Sequence, residues 1–314
     1  MPKNFIFFLS LILLFSCGKT TDEKTADAIL SANIALSKGS CQLAINILET
    51  NGRVNDNAAY LKTLASAYAC RAGYSAITFF ASDVALTVTP APLGGMTLYS
   101  TSKVAVQIPL QNDPSFKDLQ TAINILLYAG GIASTTDPTA TERAKYFSAS
   151  EAADINTQLF FMIMVQLGKY MHVYGDVDAA GAKAGGAGAN LCFTSYGVAP
   201  AGILAGTCNI GTSSHAQLDG GTVAPATRKT RLCHGVVLFN GYLDLLPSIA
   251  ASASGSLAVI TGATAAINAA KGALAGTVGV VLTTINQTTC EDILQVPVED
   301  IEYYFAGIFE KILL

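Results

Sequence analysis

The stretch ADAILSANIALSKGSCQLAINILETNG, residues 26–52, decides the fold. It reads as two short helices, Ala26 to Lys38 and Ser40 to Thr50, closed by Gly39 and by Asn51-Gly52. Leu43, Ile47 and Leu48 recur at helical spacing. The next stretch repeats the plan. Ala58 to Ala72 carries Leu61, Leu64, Ala65 and Tyr68 and ends at Gly73, and Tyr74 to Val84 continues with Ile77, Phe79 and Phe80. Glu23 to Val84 is therefore expected to form four helices in two hairpins. Gly39 and Gly73 lie 34 residues apart. Small residues (Ala32, Ala35, Ala44, Ala65, Ala67, Ala69) stand where helices would meet.

Downstream, Asp113-Pro114 and Asp137-Pro138 each set an acidic N-cap before a proline at the first helical position. Thr139 with Glu142, and Ser148 with Glu151, fit the capping-box pattern. The second box opens Glu151 to Tyr174, apolar on nearly every side from Leu159 to Leu167, which predicts a buried central helix. The pentapeptide Ala44-Ile45-Asn46-Ile47-Leu48 recurs as Ala122-Ile123-Asn124-Ile125-Leu126. Thr227 to Ala250 reads as a helix bent at Pro247. Leu257 to Ile285, with Lys271 its single charge, reads as a buried hairpin broken near Gly276 or Gly279 rather than a membrane span. Val298 to Leu314 is amphipathic, with Glu299, Asp300 and Glu302 suiting the positive end of the helix dipole. Between these helices, Gly175 to Pro225 is rich in Gly, Ala, Ser and Thr, and is expected to be a loop that acts as a lid or contacts a partner.

Charged residues are 13% of the chain, about half the usual share. A net charge of −4 gives no footprint for nucleic acid. Arg228, Lys229 and Arg231 form the only basic cluster and are read as a solvated first helical turn.

No HExxH, GxSxG elbow, P-loop or GxGxxG motif occurs. His172 reads as a structural histidine and His215 as exposed, and neither pairs at metal-ligand spacing with His234. Asp176 to Gly181 has the first, third and sixth positions of a calcium loop. It lacks a ligand at the fifth and a glutamate at the twelfth. The run from Lys183 to Asn190 has no phosphate-loop context. No catalytic set, metal or cofactor is nominated, and the chain is read as a non-enzyme.

The amino terminus carries the sharpest motif. Lys3 precedes an apolar run from Phe5 to Phe15, too short to span a bilayer, and Leu14-Phe15-Ser16-Cys17-Gly18 follows. This resembles the lipobox of bacterial lipoproteins, with Phe15 larger than usual. The resemblance implies that residues 1–16 are a removed signal peptide and that Cys17 is acylated. Gly18, not aspartate, after the cysteine implies the outer membrane, periplasm-facing. Residues 17–25 would be a tether, and 26–314 one helical domain: repeat-like helices over 26–88, central helices over 113–174, the Gly-rich disulfide loop over 175–225, and C-terminal helices over 226–314.

With Cys17 lipidated, six cysteines remain. An even number in an exported chain points to disulfides, and sequential pairing is favoured among fifteen connectivities: Cys41–Cys70, Cys192–Cys208 and Cys233–Cys290.

The 34-residue glycine spacing resembles the tetratricopeptide repeat, without its tryptophan or closing proline. With the lipobox, Ala-rich helices and length, the chain is similar to the T component of tripartite periplasmic transporters, a lipoprotein of degenerate tetratricopeptide-like helices. The expected fold is all-α: antiparallel helical hairpins with one long loop insertion. The resemblance implies a membrane-anchored scaffold binding an envelope protein or a small ligand. A structural envelope lipoprotein without a ligand, and a transporter accessory binding a small apolar ligand, are the alternatives.

Overall fold

The computed structural model describes residues 19–88, 92–105, 107–185, 190–197, 203–204, 207–250 and 267–313. The signal segment and Cys17 lie outside these residues, as do residues 257–266 of the expected hairpin.

Three helices open the chain: α1 (Thr21–Ser37), α2 (Cys41–Asn51) and α3 (Ala58–Arg71). α1 starts five residues before the position read from the sequence. Thr20 and Glu23 form a reciprocal capping box that begins the helix there, so most of the expected 17–25 tether is helical. α1 and α3 end in the same closure. Gly39 N–H donates to Leu36 O and Ser40 N–H to Ala35 O; Gly73 N–H donates to Cys70 O and Tyr74 N–H to Ala69 O, all at 2.9–3.0 Å. Both glycines sit at positive φ, +71° and +85°, a conformation that costs a residue with a Cβ.

α4 (Ala76–Ala81) is short and runs into a 3-10 turn over Asp83–Val88. α5 (Pro114–Leu127) begins on Asp113, whose carboxylate accepts from Phe116 N–H. The sequence Ala-Ile-Asn-Ile-Leu recurs on α2 and α5, and both helices pack on α3. The likeness extends upstream: Gln42 bonds Asn46 and Gln120 bonds Asn124. α3 thus contacts two helices of matching local sequence.

The chain then turns through Ala140–Arg143, capped by Thr139 rather than Asp137. Asp137 serves a different purpose. Its Oδ1 accepts from Thr284 Oγ1 and from the N–H groups of Ile285 and Asn286, each at 3.0 Å. Three donors from a distant segment outweigh one cap bond.

α6 (Ala149–Tyr174) is the central helix. Its Ser148–Glu151 capping box is complete, and Leu159, Phe160 and Met162 to Leu167 are buried. α3, α5, α7 (Pro225–Ala250) and the turn Met96–Leu98 all pack against it. α7 is long and apolar enough to cross a membrane, but 72% of that window is buried inside the fold, as expected of a core helix. Residues 267–274 form two further turns before a 3-10 turn at Gly279–Leu282. α8 (Gln287–Glu291) and α9 (Val298–Tyr304) complete the set, and α9 passes through a π turn, Phe305–Phe309, into Glu310–Ile312. This end is not amphipathic as read. Glu302 and Glu310 are buried along with Ile301, Tyr304, Phe305 and Phe309, because both carboxylates find buried cations.

Among the described residues the fold is mostly helical, with one short parallel ribbon, β1 (Leu191–Cys192) with β2 (Asn209–Ser213), and an isolated antiparallel bridge between Val177 and Lys183. Cys41 is bonded to Cys70, Cys192 to Cys208 and Cys233 to Cys290. They staple α2 to α3, β1 to β2, and α7 to α8. The loops closed span 29, 16 and 57 residues, each adding about 3–4 kcal/mol on the loop-entropy model.

Candidate functional site

An apolar groove of about 430 Å³ opens between α3, α4 and α6. Tyr74, Phe80, Phe161 and Met162 are its apolar walls, and Lys62, Ser66, Asp154, Thr157 and Gln158 line the remainder. The aromatic wall is built edge to face: the Phe80 and Phe161 centroids are 4.8 Å apart at 84°, and Phe79 lies 5.4 Å from Tyr99 at 86°. Such pairs add about 0.5–1.5 kcal/mol beyond area burial and hold the wall stiff. Phe79 anchors α4 in the core, so Phe80 and Ile77 must face outward. Ile77 is 82% exposed and Phe80 52%.

The polar groups around the groove are spent on one another. Lys62 Nζ pairs with Asp154 Oδ2 at 2.7 Å, and Gln158 Nε2 donates to Ser66 Oγ at 2.8 Å and to Lys62 O at 3.1 Å. The volume lies in the usual ligand-site range, roughly 300–1,000 Å³, and so does the mix of apolar wall and a few polar groups.

Several polar clusters lie elsewhere, and each is engaged. Ser115 Oγ donates to Asp113 Oδ1 at 2.5 Å and accepts from Lys169 Nζ at 2.6 Å. A serine–lysine contact is a nucleophile–base geometry in some acyl-transfer enzymes. Here the serine proton points at a carboxylate and the lysine is a donor. The cluster acts as an extended N-cap of α5. Burial lowers the Lys169 pKa, and Asp113 opposes that shift. Lys271 Nζ donates to Asn240 Oδ1 at 3.2 Å, which also accepts from Tyr304 OH at 2.7 Å. Burial lowers this amine to about 8. Cys192, Cys208 and Glu310 converge, but both sulfurs are in the disulfide and Glu310 is held by Lys183, Phe193 and Tyr196.

The residues singled out by sequence fall into place as follows. Arg228, Lys229 and Arg231 are not solvated; all three are buried. Arg228 meets Glu302 at 2.8 Å and donates to Thr194 Oγ1 and Ser195 O. Lys229 donates to Val296 O at 2.6 Å and Arg231 to Gln217 O at 2.8 Å. These bonds pin the described parts of the 175–225 loop to α7 and α9, so they are part of the core's wall rather than a lid. His215 is half-buried, not exposed: its Nδ1 accepts from Gln217 N–H and its ring packs edge-on to Tyr174. His172 sits in the last turn of α6, with burial lowering its pKa. His234 is half-buried with its Nδ1 shut off from water, and desolvation pushes it down to about 4. In the calcium-like loop, Asp178 Oδ1 accepts from the N–H groups of Ala180 and Ala182, and Asp176 Oδ2 from Leu191 N–H. The carboxylates brace a turn and do not converge.

Sequence reading did not find the groove. Phe79, Phe80 and Ile77 stood out only as helix-spaced apolar residues, and Phe161 lay in a run apolar on all sides. The one local signal was the adjacent Phe79-Phe80 pair, since neighbours on a helix point about 100° apart and a helix packed along one side buries only one of them. No family model, no curated protein and no solved structure matches this chain.

Proposed function

We propose that this chain is a lipid-anchored, periplasm-facing binding module of the outer membrane, non-catalytic, held through an acylated Cys17. The groove between α3, α4 and α6 receives an apolar segment of an envelope protein or a small apolar ligand. The observation that carries this reading is the exposure of Ile77 and Phe80 beside an aromatic-walled groove. Large apolar side chains grouped at a concave surface mark contact sites more often than chance solvent exposure. The self-paired rim, Lys62 with Asp154 and Gln158 with Ser66, supports binding rather than turnover.

The tetratricopeptide-like plan belongs to the same proposal. Its support is the identical closure at Gly39 and Gly73, and the matched local sequences of α2 and α5, both packed on α3. A lone, fully ligand-free structural role is the alternative.

A photo-crosslinking side chain at Ile77, with a second at Leu294 as control, separates the two in living cells. Leu294 is 90% exposed and stands away from the groove-lining residues. Capture of one defined species from position 77 alone, abolished by Phe80→Asp, is the expected result. Equal or absent capture from both positions favours the structural role.

A further inference from the structure

The buried residues of α1 are all small, and large apolar side chains stand on the outer side of the α1–α2 hairpin. Ala28, Ala32 and Ala35 of α1 are buried with Ile29 and Leu36 half-buried beside them, and α2 buries Ala44, Ile45 and Leu48, while Leu30 at 62%, Ile34 at 49% and Leu43 at 54% exposure face water. Leu30 and Ile34 stand four residues apart, so they share one face of α1. Ile34 precedes Gly39 by about one turn and Leu43 follows it by about one turn, which brings both near the same end of the hairpin.

The chain upstream limits what can cover that face. Thr21 begins α1, only four peptide units after Cys17. Whatever path those units take, they reach at most about 14 Å. An acylated Cys17 therefore keeps the start of α1 within that distance of the lipid. Leu30 and Ile34 lie roughly 14 and 20 Å along the helix from Thr21, close enough for a helix lying along the surface to set both on it. Charge does not oppose this. Lys19, Lys24 and Lys38 balance Asp22, Glu23 and Asp27, so the segment is neutral beside an anionic lipid surface.

We propose that the outer face of the α1–α2 hairpin, formed by Leu30, Ile34 and Leu43, docks on the lipid surface that holds Cys17. This rests on the lipoprotein reading above. The acyl anchor supplies a high effective concentration, so a small apolar face suffices to turn a tethered domain into an oriented one.

The chain contains no tryptophan, so single-tryptophan variants report one position each. Leu30→Trp, Ile34→Trp and the control Leu294→Trp are purified as the full lipidated chain. They are reconstituted into phosphatidylethanolamine–phosphatidylglycerol vesicles with and without brominated acyl chains. Emission from positions 30 and 34 should fall about twofold or more with bromolipid, as for an interfacial side chain, while position 294 stays unchanged. Mass spectrometry of the amino-terminal fragment is read on the same samples. An acylated Cys17 with unquenched tryptophans at 30 and 34 overturns the docking and leaves the anchor standing. Tryptophans shielded from aqueous iodide yet unquenched by bromolipid overturn it too, by showing a protein cover. An unmodified Cys17 removes the anchor and the docking together.

Discussion

Lys183 Nζ lies 2.9 Å from Glu310 Oε2, with the side chains 2% and 0% exposed. The ammonium also donates to Leu191 O at 2.8 Å and sits 4.5 Å from the Phe193 ring centroid. Glu310 Oε1 accepts from Phe193 N–H and Tyr196 OH. The pair thus joins the loop after α6 to the turn after α9. Breaking such a pair from one side leaves a charge without water or partner, at a cost of about 3–5 kcal/mol. Glu310→Gln keeps an acceptor for Phe193 and Tyr196 but strands Lys183, and its unfolding free energy from urea titration should drop by that much. Lys183→Met together with Glu310→Gln should recover part of the loss. A double variant as unstable as the sum of the two singles would show that the charges are not coupled.

His234 sets an acid limit on stability. It is half-buried on α7 against Phe116, and desolvation lowers its pKa in the fold to about 4, against an ordinary 6.5. The unfolded chain therefore binds a proton more readily than the fold between those values. Stability is whole above about pH 6.5 and falls as pH drops towards 4, where the loss is complete. The difference corresponds to about 3 kcal/mol. Chemical denaturation at pH 7.5 and pH 4.5 measures the slope. His234→Gln should flatten it selectively; an unchanged slope would place the acid sensitivity in other groups.

Gly168 breaks the rule that alanine strengthens a helix interior. Gly→Ala there ordinarily gains about 0.5–1 kcal/mol. A Cβ at 168, however, would stand 2.2 Å from Met96 O and 2.7 Å from Ser102 Oγ, and a backbone carbonyl cannot rotate away as a side chain does. Gly168→Ala should therefore destabilise by about 1–3 kcal/mol, the range of overpacked cores. Gly272, with open space around it, is the control and should not lose stability. Thermal melts of the two variants side by side decide the sign.

The helices were readable from sequence because their signals are local. Asp113, Ser148 and Thr139 announce helix starts within three residues of the group they cap, and Gly39 and Gly73 announce ends. Asp137 carried the same local sign and misled, because its partners Thr284, Ile285 and Asn286 stand far along the chain. The same distance hid the environments of Arg228, Glu302 and Glu310. A charged residue in an otherwise exposed-looking turn gives no hint that its counter-ion comes from another helix. The groove was invisible for a related reason. Phe80 and Phe161 become neighbours only once α4 lies across α6, and the period of either helix alone says nothing of that crossing.

The two buried ion pairs also bear on the order in which the molecule can be completed. Arg228 precedes its carboxylate, Glu302, by 74 residues, and Lys183 waits still longer for Glu310. A chain released amino end first from a ribosome presents both cations well before either anion. Until then a closed core would hold uncompensated charge, which is costlier than staying open. Final closure of the core thus waits for Glu302 and Glu310 to emerge.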